Sequence, residues 1–141
     1  MVAEALSDKA AKETKSAVIN VTEITNPGDS DTNELVAAVP GKKIVVTNIN
    51  HVQLMPASPF SMDWVSLVFK SGSDALTGEI FFSNAGIAGG AYESTINTSY
   101  MPDGHFKTAS GEALNITTID KRSTGGGGTI WIRGYINYYE E

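Results

Sequence analysis

No cysteine occurs in this chain, which excludes disulfides, thiolate metal sites and thiol nucleophiles. Histidine is nearly as scarce: His51 and His105 are the full supply, so metal ligands and general bases near neutral pH are few. Positive charge is also short. Ten Lys and Arg stand against 16 Asp and Glu, a net charge of −6, and no basic block is present that could neutralise a nucleic-acid backbone. No apolar run approaches the roughly 20 residues that span a bilayer. The chain starts with Ala, Lys and Glu, not with a basic and then apolar leader, so a soluble, unprocessed protein is expected, with neither nucleic acid nor membrane as partner.

What is abundant is strand and turn chemistry. Val and Ile total 22 of the 141 residues against 6 Leu, and Ser, Thr and Asn add 35 more. One domain accounts for this length. The first sixteen residues, 1–16, differ from the rest, with Val2 and Leu6 as their sizeable apolar groups, too few for a buried helical stripe. They read as an arm, either a loose terminus or a segment that orders on a partner, in which case Val2 and Leu6 are its anchors.

From Ala17 the hydrophobic period becomes two, and strands are expected at 17–24, 33–39, 43–54, 62–70, 76–82, 92–100, 105–108, 112–119 and 129–139. Turn clusters separate them, among them Asn26-Pro27-Gly28-Asp29, Pro40-Gly41 and Pro102-Asp103-Gly104. The third run changes face midway. Ile44 and Val46 share a side with Val52 and Leu54 while Ile49 falls on the other, which calls for a bulge or bend. Strands at turn spacings of about ten residues, with no helical pattern after residue 16, predict an all-β fold: an antiparallel β-sandwich of jelly-roll type, 17–141, preceded by the extended arm.

Motifs that could carry chemistry are absent. Ser71-Gly72-Ser73-Asp74 lacks the second glycine of a nucleophile elbow and reads as a turn. Gly125 to Gly128 precede a strand and bring no Lys-Ser/Thr, so they make a hairpin loop and not a phosphate cradle. Asp63 and Asp103 lie in segments unrelated to either histidine, and the other acids are scattered. Three Asn-x-Ser/Thr matches, at Asn20, Asn97 and Asn115, are what a chain so rich in these residues produces by chance. No catalytic residue, metal or cofactor is expected, and the chain is read as not an enzyme.

The strings Val39-Pro-Gly-Lys-Lys-Ile44, Phe69-Lys-Ser-Gly-Ser-Asp-Ala-Leu-Thr-Gly-Glu-Ile80, His105-Phe-Lys-Thr-Ala-Ser-Gly-Glu-Ala-Leu-Asn-Ile116 and Gly134-Tyr-Ile-Asn-Tyr-Tyr139 together resemble small β-sandwich virion proteins of tailed bacteriophages. The resemblance covers roughly residues 35–141 and consists of strand edges and turns. It implies a capsid decoration (cement) protein on the virion surface, made in the host cytoplasm, whose partner is the major capsid protein or another virion subunit. A tail or fibre subunit is the structural alternative. A carbohydrate-binding module, with exposed aromatics stacking on sugar rings, is the alternative of another class. The chain departs from the family's pattern at Phe81, where a small or turn residue often sits, and in the stretch Tyr92 to Tyr100.

Alternation also divides the side chains into faces. Ile130, Ile132, Ile136 and Tyr138 are expected inside with Val65, Leu67, Phe69, Leu76, Ile80 and Phe82. Met62, Trp64, Phe81, Trp131, Tyr135 and Tyr139 then point outward, joined by Arg133. So many outward aromatics predict a contact surface, most simply a closed homo-oligomer, a trimer by preference, anchored by Trp64, Trp131 and Tyr135.

Overall fold

A computed structural model describes residues 12–22, 30–56, 64–83, 94–120 and 130–141. The described residues form ten strands: β1 Lys15–Thr22, β2 Ser30–Val36, β3 Ile44–Pro56, β4 Trp64–Ser71, β5 Asp74–Ala75, β6 Ile80–Ser83, β7 Ser94–Ile96, β8 Phe106–Lys107, β9 Leu114–Asp120 and β10 Ile130–Glu140. They make two antiparallel sheets. The first runs β1-β10-β3-β7, with β8 also on β3; the second runs β2-β9-β4-β5, with β6 also on β4. One core joins them, built from Ile19, Val46, Ile49, Val52, Ile132 and Ile136 of the first sheet against Val65, Leu67, Phe69, Leu114 and Ile116 of the second. The fold is the expected all-β sandwich.

The expected core faces hold wherever side chains are described. Ile132, Ile136, Tyr138, Val65, Leu67 and Phe69 are buried, and Leu76 and Ile80 pack partly buried against them. Phe69 reaches across to Phe106, ring centroids 5.0 Å apart. The Ile130 and Phe82 side chains lie outside the described residues. Two expected strands shrink. Leu76 sits in a bend whose N–H donates to Phe69 O (2.8 Å), so the strand expected from there begins only at Ile80. Of the stretch expected at 92–100, the described residues 94–100 keep three paired residues, Ser94–Ile96.

The face change in β3 is resolved by two bulges. Opposite β10 the register slips between Arg133 and Tyr135, where His51 and Val52 face Gly134, and again between Asn137 and Tyr138, where Thr47 is extra. Each extra residue inverts the alternation, so Ile44, Val46, Ile49 and Val52 all end buried. His51 takes φ 47°, the left-handed region. Gly134 is required here: a Cβ on it would lie 2.7 Å from Val52 Cα and 2.9 Å from Asn50 O, backbone atoms with nowhere to move.

Bulging leaves β3 backbone groups without ladder partners, and the segment between β7 and β8 supplies them. Ile49 N–H donates to Thr98 Oγ1 (2.8 Å), Thr98 N–H to Ile49 O (2.9 Å), His51 N–H to Asn97 Oδ1 (2.8 Å) and Met101 N–H to Thr47 O (2.9 Å). Further along, Ile44 N–H donates to the buried Thr108 Oγ1 (2.9 Å). Irregular backbone inside a sheet survives only with such partners.

Candidate partner-binding faces

The outward side chains of the first sheet fall into cross-strand rows. Val18, Tyr135 and Asn50 make the middle row, flanked by Asn20, Arg133 and Gln53 on one side and Ser16, Asn137 and Asn48 on the other. The lower row is knitted by Ser16 Oγ donating to Asn137 Oδ1 (2.8 Å), and Asn48 Nδ2 reaches up to Asn50 Oδ1 (2.8 Å). Val18 is 73% exposed and Tyr135 39%, so two large apolar side chains stand side by side in water. Val18, Asn20, Arg133 and Gly134 line a shallow, open depression next to them. Beside Tyr135, the Asn50 Nδ2 group is buried with no hydrogen-bond partner.

Tyr139 occupies the same side of β10 but is not in water. Expected among the exposed aromatics, it is only 6% exposed, because the chain leading into β1 lays Lys12 over its ring, Nζ 4.6 Å from the centroid. That cover is held by charge. Glu141 meets Lys12 (3.5 Å) and Lys107 (3.4 Å), and Glu140 meets Lys15 (3.2 Å). Burial alone pushes the Glu141 carboxyl up, yet Lys107 and Lys12 together hold it below its ordinary value. The Lys15 ammonium is raised by its hydrogen bond to Glu140.

The second sheet's outer face is plainer. Thr32 and Thr117 share a hydroxyl hydrogen bond of 2.8 Å, and Ser66 Oγ donates to Glu79 Oε1 (3.3 Å). Phe81, the register partner of Ser66, is 52% exposed there.

The residues read from sequence as partner-binding therefore separate. Arg133 and Tyr135 share the first sheet's outer face, and Trp131 holds the next register position on the same strand, between Thr22 and Met55. Trp64 and Phe81 belong to β4 and β6 of the second sheet. Trp64 and Trp131 therefore hold positions on strands of different layers. The Trp64 and Trp131 side chains, Met62, Val2 and Leu6 lie outside the described residues. Sequence reasoning missed Val18, whose alternation was plain but whose exposure depends on β1 being an edge.

The polar motifs serve structure. Ser71 Oγ donates to Glu112 Oε2 and accepts from Ala109 N–H (2.9 Å), tying the 72–73 turn to the turn before β9. His105 follows the Gly104 turn and its Nε2 lies 2.8 Å from Ser99 O. His51, read as a half-exposed strand residue, is exposed at the bulge. Among the described residues no group of three His, Asp or Glu side chains is placed to hold a metal.

The chain matches no known family profile and no curated protein. Among solved structures it is similar, at 12% identity and a TM-score of 0.36, to a chain in the structure of infectious bursal disease virus Gx strain. That likeness covers 92% of this chain but 33% of the other, so this chain spans about a third of its length. At this similarity it carries no functional weight.

Proposed function

We propose that this protein is a structural subunit of a phage particle that binds the assembled capsid and reinforces it. The observation that carries the reading is the Val18–Tyr135 pair, exposed at the centre of an otherwise polar face. Contiguous apolar groups on a rigid face more often mark a contact than an accident, and binding a shell needs such a surface and no cleft. Resemblance of residues 35–141 to phage virion proteins supplies the partner class. The strand order supports the jelly-roll name: β1-β10-β3-β7 against β2-β9-β4-β6 interleaves the sheets as two Greek keys do. On this reading 1–16 acts as a docking arm through Val2 and Leu6, and Arg133 supplies a guanidinium beside the apolar pair.

The test is co-sedimentation of the full chain with expanded, empty phage shells. A fixed copy number per shell is expected, reduced by Tyr135→Ser and by removal of residues 1–11. Failure to sediment, with retention on a polysaccharide gel, would shift the reading to the carbohydrate-binding module. There Tyr135 is the ring for a sugar to stack on.

A further inference from the structure

Among the described residues strand β1 is an edge: it pairs with β10 alone, through eight consecutive partners from Lys15↔Tyr138 to Thr22↔Trp131 with no register slip. Natural edges are blunted by proline, bulges, charge or shortness, because an open row of N–H and C=O groups templates another strand. β1 has none of these guards. It holds no proline and no bulge, it is eight residues long, and its one charge, Lys15, sits at its end engaged with Glu140. The matching edge of the second sheet, β2, is guarded: Asp31 and Glu34 stand exposed on it, in a chain whose net charge is −6.

We infer that β1 is the contact through which two copies of this chain join, antiparallel and edge to edge, about a twofold axis at Val18. The sequence of the edge selects a second copy as occupant. Its outward residues, Ser16, Val18 and Asn20, are arranged symmetrically about Val18 as polar, apolar, polar. A twofold partner sets Val18 beside Val18, covering one flank of the most exposed large apolar side chain described, and sets Ser16 opposite Asn20, hydroxyl to amide. On the inner side Ala17 meets Ile19, so both cores continue across the seam. The register also separates the charges. Each Lys15 lies opposite Val21 of the other copy, and six residues at about 3.4 Å place the two lysines about 20 Å apart, beyond the screening length of about 8 Å. This contact needs no virion, and it puts a twofold pair joined through β1 in place of the trimer expected from the outward aromatics.

Because the chain has no cysteine, single cysteines report the register directly. Cross-strand partners hold their Cβ atoms about 4.5–5.5 Å apart, near disulfide range, whereas residues offset by four along the strand are about 13 Å apart. The full chain carrying Val18→Cys should cross-link to a two-chain band under mild oxidation. Ser16→Cys and Asn20→Cys should each stay single, and their mixture should link. By light scattering the unmodified protein should have the mass of two chains and Val18→Lys the mass of one, with its β-sheet circular dichroism retained, since residue 18 lies outside the core, and with a lower melting temperature that no longer depends on protein concentration. A single-chain or three-chain mass for the unmodified protein overturns the inference, as does equal linking at positions 16, 18 and 20.

Discussion

The central strand pairs of the two sheets are built differently. β4 and β9 keep seven consecutive partners, from Val65↔Asp120 to Ser71↔Leu114, without a slip, while β3 and β10 slip twice. The regular pair belongs to a sheet whose described outer face is closed by its own hydroxyls, with Phe81 as its exposed large apolar group. The bulged pair belongs to the sheet that carries His51 at positive φ, the orphan amide of Asn50 and the exposed Val18 and Tyr135. Bulges disrupt a ladder, and folds retain them where a side chain has to be re-aimed. On the proposed function the difference becomes a division of labour, with the second sheet as scaffold and the first as contact surface.

If the second sheet is scaffold, its core should be the most costly place to cut. Phe69 is fully buried, stacks toward Phe106 and bridges the layers. Phe69→Ala should lose about 3–5 kcal/mol of unfolding free energy, read by urea denaturation. A loss below about 1 kcal/mol would mean that the two layers do not share one core.

The bulge is the next lever. Gly134→Ala should cost about 1–3 kcal/mol, because the new Cβ meets Val52 Cα and Asn50 O, and relief requires undoing the bulge. Gly78→Ala, where a Cβ meets nothing within 4 Å, is the matched control and should change stability by less than about 0.5 kcal/mol. Similar costs at both sites would remove the distinction between the strained and the relaxed sheet.

Much of this contrast was legible in the residues themselves. The spacing of Ile44, Val46, Ile49, Val52 and Leu54 contains two odd intervals, and each marks one bulge. The inward set on β4 and β10 followed from strict alternation. Three features were not legible, because each depends on tertiary placement. Tyr139 alternates outward, and only the path of Lys12 back across it explains its burial. Trp64 and Trp131 looked like neighbours because alternation reports the side of a strand and says nothing of which sheet the strand joins. Val18 looked ordinary until β1 proved to be an edge.

A smaller effect tests how the bulged strand is supported. Thr98→Val deletes the hydroxyl that accepts from Ile49 N–H and leaves a part-buried donor unmatched. About 1 kcal/mol should be lost, together with faster hydrogen exchange at the Ile49 amide. Thr32→Val on the second sheet removes the hydroxyl partner of the buried Thr117 and should cost a similar amount without changing exchange at Ile49.

The smallest effect concerns the end of β10, where Glu141 extends the first sheet. Its N–H donates to Lys43 O (3.0 Å) and its carboxylate draws Lys12 and Lys107 together, closing the cover over Tyr139. The carboxyl is held below the ordinary glutamate range by Lys107 and Lys12, so folding favours its ionised form. That contribution is complete above the unfolded value and fades as pH falls through the lower folded one. The group is largely solvated and its partners are surface lysines, which limits the effect to a few tenths of a kcal/mol, about the scale of exposed ion pairs. Urea midpoints measured at pH 6 and pH 3 should therefore fall slightly less on acidification in Glu141→Gln than in the parent. Near-ultraviolet absorbance or fluorescence should report any change around Tyr139, and that signal should move with the midpoint difference if the ion pairs, and not the backbone bonds to Lys43, hold the cover. An acid response identical in the two proteins would assign the cover to the backbone bonds alone.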